Sequence, residues 1–329
     1  MRIATSLETV ELKSSGPSKL RLLSKGYWLE FFQWVAAAGF TAVELPYNAF
    51  VNDPLAFEIG RCGVPISLAA VNVKYGSPKG LRKMLADFGI ADVTGVHVQA
   101  GDALAEIMAT DGDTARYFGL LESAGREAIG FLADLGATDL VLSPTPARGL
   151  VERFFAGGRD GWEAGFLDLT AAVVNKLARE AKAKGVRVAV RDEFWSLLRG
   201  DARDAFLAKL DKDVLYSPDL SHLAIAGADP VAVMKKHKAR LASVRFNDTK
   251  FTDAVGNWRT SHPEIPTQGA QRVFCDLGDG TVDLRGAYRA LQDAKYDGWA
   301  VFDSRMTLDV PRALLRMRWR IDHSIAAKG

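Results

Sequence analysis

The chain has 329 residues, 48% of them hydrophobic, which is enough apolar material for a large buried core. Its 42 basic and 40 acidic residues are interspersed, and the formal net charge of +2 argues against binding to nucleic acid or to an anionic membrane surface. The first residues, MRIATSLETVEL, lack the apolar core of a signal peptide, and no run approaches the roughly 18 to 20 apolar residues of a membrane span. We therefore expect a globular, cytoplasmic protein in which Cys62 and Cys275 are reduced thiols.

Short β-branched runs alternate with longer segments of helical period, which is the pattern of repeated β/α units. Gly136 and Gly185 are expected to end two of the helices, because glycine accepts the positive φ of a helix C-cap. The second strand is expected to break at Pro46. The predicted strands cover residues 2–7, 40–48, 64–71, 138–144, 186–192, 214–219, 241–248 and 299–303. Eight strands separated by helices predict an α/β fold, a single (β/α)8 TIM-barrel domain over residues 1–329.

Two segments depart from the repeat. Residues 76–116 are predicted to insert a helix and an extra extended stretch between strands 3 and 4. Residues 249–283 form a long loop after strand 7, containing glycine and proline. Connections of this length are uncommon unless they cover a site, so both segments are interpreted as cap elements.

Polar residues gather where the predicted strands end, and barrel enzymes carry their chemistry at that edge. Period-two alternation places Arg191 and Glu193 on one face of strand 5. It places Arg245 and Asn247 on one face of strand 7 in the same way. If those faces point inward, several charges converge at the mouth of the barrel.

The stretch YSPDLSHLAIAG, residues 216–227, places Asp219 three residues before His222. A carboxylate and an imidazole at this spacing often form half of a metal site. The alternative is structural, with Asp219 capping a helix and His222 hydrogen-bonded in the core.

Six stretches, taken together and in this order along the chain, resemble the xylose isomerase-like barrels. They are GFTAVELPYN, REAIGFLADLGATDLVLSP, AREAKAKGVRVAVRDE, SPDLSHLAIAGADP, SVRFNDT and DLGDGTVDLRGAYRALQDAKYDGWAVFD. Within these, the sequence is most similar to the sugar phosphate isomerase/epimerase group, which includes inosose dehydratases and, more distantly, endonuclease IV. The resemblance covers most of the chain and implies a divalent metal, such as Mn or Zn, held by residues of strands 5 to 8.

Carried over by position, the strand-6 aspartate of that family falls on Asp219, the D-x-x-H histidine on His222 and the strand-8 acid on Asp303. The strand-5 glutamate falls on Arg191 and the strand-7 histidine on Arg245. Arginine stays protonated and has no lone pair to offer a metal. We therefore expect no metal, with the two arginines facing the two aspartates and neutralising them.

Two alternatives stay open for these positions. A register shift of two residues would put Glu193 in the strand-5 ligand position and leave a divalent metal at Asp219. The arginines could also be purely structural ion-pair partners that hold the end of the barrel.

Further candidates surround the predicted mouth. Arg272, in RVFCDLGDG, matches an arginine that reaches substrate oxygen in the family, so it is a third candidate cation. Glu44 is expected either to bind a substrate hydroxyl or to pair with an arginine. Trp195 and Trp258 are interpreted as apolar cover or as a stacking surface for a ring.

Two histidines, His97 and His262, lie in the segments interpreted as caps. We interpret them as solvated, with His262 kept as a candidate substrate contact.

Two functions follow from these expectations. The first is an isomerase, epimerase or lyase acting on a sugar, cyclitol or related polyhydroxy-carbonyl compound, in which Glu193 or His222 moves a proton next to a carbonyl and an arginine stabilises the enolate. The second is a non-catalytic barrel that binds a small anionic metabolite or serves as the inactive partner subunit of an active relative. Charge counting favours a neutral ligand if both glutamates face inward. The sequence leaves the oligomeric state open, with a homo-oligomer as one option.

Overall fold

The computed structural model describes residues 1–9, 24–50, 66–110, 113–158, 160–261, 263 and 272–327. Its eight strands all pair in parallel. The strands are β1 (Arg2–Ser6), β2 (Ala42–Tyr47), β3 (Asp92–Gln99), β4 (Asp139–Ser143), β5 (Arg187–Val190), β6 (Leu215–Tyr216), β7 (Ser243–Phe246) and β8 (Trp299–Phe302).

Helices connect these strands and form the outer layer. The α-helices are α1 (Lys25–Ala37), α2 (Leu68–Tyr75), α3 (Pro78–Asp87), α4 (Ala100–Thr110), α5 (Thr114–Leu135), α6 (Arg148–Val151), α7 (Trp162–Lys182), α8 (Asp201–Lys209), α9 (Leu220–Ile225), α10 (Pro230–Lys236), α11 (Leu284–Asp293) and α12 (Val310–Arg320). Short π-helical turns follow α6 (Glu152–Ala156) and α12 (Ile321–Ile325), and 3-10 turns lie at Lys238–Arg240 and Asn257–Arg259. In the described ranges, every helix is too short or too polar to cross a lipid bilayer.

The strands form one sheet in the order β6-β5-β4-β3-β2-β1-β8-β7. Isolated parallel bridges, Tyr216 with Leu241 and Asp219 with Arg245, join its two end strands. The sheet thereby closes on itself, which removes its exposed edges. The predicted (β/α)8 barrel is confirmed.

The third strand was assigned to the wrong segment by the sequence pattern. Within the predicted strand 64–71, Ser67 caps α2 by accepting a hydrogen bond from the Ala70 amide at 3.0 Å, so Leu68 and its successors are helical. The true third strand is Asp92–Gln99, inside the segment interpreted as an insertion. The region between strands 3 and 4 therefore holds two helices, α4 and α5, and the extra extended stretch is β3 itself.

The expected break at Pro46 is also wrong. β2 continues to Tyr47, and the Pro46 carbonyl accepts a hydrogen bond from the Ile66 amide at 2.7 Å. The prediction for Gly136 is confirmed, because this residue has φ of 75° at the end of α5.

Inward-facing side chains change from apolar to charged along the barrel axis. Near the amino ends of the strands they are small or apolar, in two clusters: Ala4, Ala42, Trp299 and Val301, and Val141, Ala189 and Ala242. Because the side-chain period of a strand is two, the next inward position on each strand lies closer to the mouth. The residues at those positions are Glu44 after Ala42, Arg191 after Ala189 and Asp303 after Val301, all of them buried.

In the described parts of the segment after β7, the Asp248 carboxylate anchors the chain, while residues 262 and 264–271 of the predicted loop lie outside the described residues. Oδ2 accepts the amides of Gly278 at 3.0 Å and Gly280 at 2.9 Å, while Oδ1 accepts those of Thr249 at 2.9 Å and Val282 at 3.2 Å. A Cβ added at Gly280 would lie 1.9 Å from Asp248 Oδ1. The loop is thus fixed at the mouth of the barrel by one carboxylate and a close backbone approach.

We expect Gly280→Ala to destabilise the protein by about 1 to 3 kcal/mol, because the methyl group overlaps the anchoring carboxylate. Gly130→Ala in α5 is the matched control: its Cβ meets only Lys184 Nζ at 3.9 Å, so it should stabilise by about 0.5 to 1 kcal/mol. Urea unfolding of both variants tests this. Equal effects of the two substitutions would show that the loop yields around the methyl group.

Candidate active site

Nine ionisable side chains form a buried cluster at the mouth of the barrel, called the charged centre below. Each is at most 3% exposed. Burial of this kind is costly for charges unless each finds a partner of opposite sign. The members are the carboxylates of Glu8, Glu44, Asp219 and Asp303, the guanidiniums of Arg191, Arg245 and Arg305, and the imidazoles of His97 and His222.

Arg245 lies among three of the carboxylates. Its Nη1 donates to Glu8 and, at 2.7 Å, to Asp303 Oδ2, while its Nη2 contacts Glu44. Arg191 pairs with the same Glu44 in a bidentate arrangement, at 3.3 and 3.0 Å. The expectation that Arg245 faces Asp303 is confirmed, whereas Arg191 pairs with Glu44 rather than with an aspartate.

The third guanidinium of the centre is Arg305. Its Nη2 lies 2.6 Å from Glu8 Oε2 and 3.6 Å from Asp219 Oδ2, and its Nε lies 3.3 Å from Asp303 Oδ2. The structure does not bring Arg272 to this position. The Arg272 side chain is 28% exposed and lies 3.9 Å from Asp276, outside the charged centre.

His97 belongs to the charged centre and is not solvated, contrary to the expectation from sequence. Its Nδ1 lies 2.6 Å from Glu8 Oε1, and its Nε2 lies 2.8 Å from Ser143 Oγ. Burial, with the nearby Arg191 guanidinium, lowers the pKa of His97 to about 4. The imidazole is therefore neutral at pH 7.

The carboxylates of the centre differ in their response to burial. For Glu8, burial by itself would raise the pKa, but Arg245, Arg305 and His97 together bring it well below its ordinary value. For Asp219 and Asp303, burial prevails and the pKa is raised. Four carboxylates thus face three guanidiniums, and Asp219 and Asp303 hold a proton more readily than an exposed aspartate does.

Glu193 lies in the short segment after β5 that also contacts His222 of the charged centre. Glu193 accepts hydrogen bonds from Gln99 Nε2 at 2.9 Å and from Trp195 Nε1 at 2.7 Å, which are both neutral donors. The backbone amide of Phe194, the residue following Glu193, lies 3.0 Å from His222 Nδ1. One short segment after β5 therefore positions both predicted proton-transfer groups.

Both ring nitrogens of His222 have an N–H donor beside them. Burial and the Arg305 guanidinium lower the pKa of His222 well below its ordinary value, so the ring is neutral. The Phe194 amide lies 3.0 Å from Nδ1, and Arg305 Nη1 lies 3.0 Å from Nε2. A neutral imidazole carries one ring proton, so it accepts from one of these two donors and holds its own proton on the other nitrogen.

Aromatic side chains cover the charged centre on its outer side. Phe194, Trp195, Phe251 and Phe274 pack together, and the rings of Trp195 and Phe274 lie 4.8 and 5.2 Å from the His222 ring. Trp195 is thus both apolar cover and the hydrogen-bond donor to Glu193.

The other predicted ring-stacking residue, Trp258, packs against the outside of this cover and has three guanidiniums around it. Those of Arg199, Arg259 and Arg148 lie 4.6, 4.7 and 5.5 Å from its ring centroid. His262 falls outside the described residues.

The donor set of the centre does not suit a divalent metal as it is arranged. Asp219 accepts hydrogen bonds from the His222 amide and from Asn247 Nδ2, each at 3.1 Å. Within the described part of the chain, ligand-type atoms gather at Glu8, Glu44 and His97, within 4.8 Å of one another. Both of those glutamates are paired with Arg245, and a guanidinium cannot act as a ligand.

Residues 32–317 match the model of the xylose isomerase-like TIM barrel family. The chain belongs to this family. Among curated relatives, the inosose dehydratase of Clostridium beijerinckii is 23% identical over 178 residues, which are 53% of this chain and 59% of that protein. The inosose dehydratase of Bacillus velezensis is 30% identical over 86 residues, 26% of this chain and 28% of that protein. The chain therefore spans less than two thirds of the length of these relatives.

Solved structures with the same fold cover nearly the whole chain. A probable 3-DHS dehydratase of Bacillus anthracis superposes with a TM-score of 0.64 at 11% identity, over 98% of both chains. A 3-keto-D-glucoside 4-epimerase of E. coli gives 0.60 at 15% identity, also over 98% of both chains. At these identities the likeness establishes the fold.

Glu8, His97 and Arg305 were not assigned to the site from sequence, although alternation carries a signal for each. Glu8 continues the inward series of Ala4 and Ser6 beyond the end of β1, and Arg305 follows Asp303 by two residues. His97 was missed because β3 was read as an insertion.

We expect Arg245→Ala to lower the free energy of unfolding by about 3 to 5 kcal/mol, because it leaves buried carboxylates without their partner. Arg126→Ala is the matched control, since Arg126 forms a bidentate pair with Glu180 at the protein surface, where solvent screens the charges, and its removal should change stability little. Denaturant unfolding measures both. Similar losses in the two variants would show that the pairing of Arg245 adds nothing to stability.

The pKa of His97 predicts a pH dependence of stability. Because the folded pKa is about 4 and the unfolded one about 6.5, the unfolded chain binds more protons between these values, so stability is lost as the pH falls through this window. The whole effect is on the order of 3 kcal/mol. We expect His97→Gln to lose less stability than the wild type between pH 7 and pH 4.5 in urea unfolding. Parallel pH profiles would contradict a neutral His97, because other titrating groups are common to both proteins.

Proposed function

We propose that the chain is a metal-independent isomerase, epimerase or lyase that acts on a neutral sugar, cyclitol or related polyhydroxy-carbonyl compound. The proposal is supported by the names of its relatives, inosose dehydratases, and of structural neighbours that are sugar epimerases. The observation that carries it is that one segment after β5 holds Glu193 and, through the Phe194 amide, also contacts His222, whose Nε2 lies 3.0 Å from the Arg305 guanidinium. A carboxylate base and nearby hydrogen-bond donors are what proton transfer next to a carbonyl requires.

Glu193 is the group proposed to take the proton. The neutral side chains of Gln99 and Trp195 donate hydrogen bonds to it and orient the carboxylate. His222 is less suited to the role, because an N–H donor lies at each of its ring nitrogens and the adjacent guanidinium opposes its protonation. The base is therefore assigned to Glu193 rather than to His222.

His222 and Arg305 are proposed to stabilise the enolate. When a proton leaves the carbon next to the carbonyl, negative charge develops on the carbonyl oxygen, and the Arg305 guanidinium, with the imidazole of His222 beside it, supplies N–H groups that stabilise such a charge. The aromatic cover lowers the local dielectric, which strengthens such donors. Returning the proton to the other face gives epimerisation, returning it to the former carbonyl carbon gives isomerisation, and loss of a neighbouring hydroxyl gives elimination.

The balance of charge supports a neutral substrate. Arg191 and Arg245 are engaged with Glu44, Glu8 and Asp303, and four carboxylates outnumber three guanidiniums even before Glu193 is included. A phosphate or carboxylate would have to displace an internal carboxylate to be clamped by an arginine. We accordingly propose that Arg191 and Arg245 position other groups of the site and do not act on the substrate themselves.

Metal independence is part of the proposal. It is supported by the positions of Arg191 and Arg245, whose guanidiniums are buried and paired with the acids that a metal would need. A divalent ion would be repelled by these fixed charges and would have to compete with them for the same oxygens.

The test is hydrogen exchange in deuterated water with a panel of neutral ketoses and keto-cyclitols and their phosphorylated and carboxylated counterparts. We expect deuterium at the carbon next to the carbonyl for a neutral member, unchanged by EDTA, with at least a hundredfold slower exchange in Glu193→Gln. Asp168→Asn at the surface serves as the control and should exchange as the wild type does. Exchange that is lost with EDTA would contradict metal independence. Exchange that is confined to anionic compounds would contradict a neutral substrate.

A second candidate function is a barrel without catalysis, which binds a small metabolite or pairs as an inactive subunit with an active relative. The observation in its favour is that Arg191 and Arg245 are neutralised by internal carboxylates, so neither meets a substrate directly. Ligand-induced thermal stabilisation without exchange across the panel would favour this candidate.

A further inference from the structure

We propose that the guanidinium of Arg245 is a built-in cation filling a cage formed by Glu8, Glu44 and His97, and that vacating this cage creates a divalent-metal site. The inference rests on the metal-independent centre proposed above and assigns to one side chain the task of replacing an ion. It is independent of the reaction, because metal binding is measured without substrate.

The cage has the composition and size of a metal site. Its three members come from the ends or inner faces of the adjacent strands β1, β2 and β3, are at most 1% exposed, and offer ligand atoms within 4.8 Å of one another. Two carboxylates and an imidazole suit zinc, manganese or cobalt. His97 turns one ring nitrogen, Nδ1, toward the cage, 2.6 Å from Glu8 Oε1.

Arg245 is the guanidinium that pairs with both glutamates of the cage. Arg191 pairs with Glu44, and Arg305 pairs with Glu8. Arg245 enters from β7, opposite the three cage strands, and its Nη1 reaches both Glu8 and Asp303. Its removal would therefore vacate the space between the two glutamates.

The fourth acid around Arg245 provides an independent sign of an incomplete cation site. Asp303 is fully buried, and its Oδ1 has no hydrogen-bond partner in the described residues, while its Oδ2 is engaged with Arg245 and Arg305. A single positive charge on a planar guanidinium leaves this oxygen unsatisfied, whereas a metal ion accepts ligands from several directions.

The charge balance predicts that removal of Arg245 favours the binding of a divalent cation. With Arg245 in place, four carboxylates of the centre face three guanidiniums and one negative charge is in surplus. Without it, two negative charges are in surplus, which a divalent cation would neutralise. An arginine cannot be removed by a chelator, so the natural centre stays assembled whatever the supply of metal.

The experiment compares Arg245→Met with the wild type and with Arg191→Met. Arg191→Met is the matched control, because it removes a buried guanidinium from Glu44 but leaves Arg245 in the cage. Each protein is dialysed against Co²⁺, Mn²⁺ or Zn²⁺ and analysed for bound metal, and its melting temperature is recorded with the metal and with EDTA. We expect Arg245→Met alone to bind about one ion per chain and to melt several degrees higher with metal than with EDTA.

A second variant, Arg245→His, adds an imidazole at the same place and should bind cobalt with a visible absorption spectrum. Absence of bound metal in both Arg245 variants would overturn the inference, as would failure of both to fold in the presence of metal. Stoichiometric metal in the wild type would overturn the metal-independent centre as well. If the three proteins bind metal as expected but the wild type shows no hydrogen exchange, only the proposed reaction is contradicted.

Discussion

The pairing of buried arginines with buried carboxylates is the interaction on which the mouth of this barrel depends. Isolated charges at these positions would cost several kcal/mol each to bury. Because Glu44 is shared by Arg191 and Arg245, and Glu8 by Arg245 and Arg305, the charged centre is one connected network. It links side chains from β1, β2, β5, β7 and the end of β8, so it ties together strands that are distant in sequence.

The network also determines the chemistry available beside it. Guanidiniums bound to internal carboxylates act as a fixed electrostatic background rather than as ligands for a substrate anion. They keep Glu8 ionised, and they add to the larger effect of burial in lowering the pKa of both histidines, which are therefore neutral. A neutral His222 with an N–H donor beside each ring nitrogen is poorly placed to act as a base.

Outside the network, aromatic side chains pack around the residues of the proposed reaction. Phe194, Trp195 and Phe274 surround His222, and the Trp195 indole holds Glu193. The same segment after β5 thus contributes the aromatic cover, the proposed base and the amide that orients His222. Glu193 accepts hydrogen bonds from neutral donors, whereas Glu8, Glu44 and Asp303 are each paired with a guanidinium of the charged centre.

The sequence by itself determined the (β/α)8 barrel, since period-two runs between helical segments are a local signal, and it determined that Arg191, Glu193, Arg245 and Asp303 lie at strand ends. The third strand was misplaced because an apolar run of eight residues is compatible with helix or strand, and the Ser67 cap decided for helix. That error also hid His97.

Only the tertiary structure decided which charges meet. Strand register and barrel closure pair Arg191 with Glu44 and place Glu8 between two guanidiniums. They also bring Arg305, and not Arg272, into the charged centre. These bring together residues up to 297 positions apart along the chain, as the hydrogen bond from Thr5 to the Phe302 carbonyl shows. Periodicity along one strand reports which face a side chain occupies, but the partner across the barrel is set by the geometry of all eight strands.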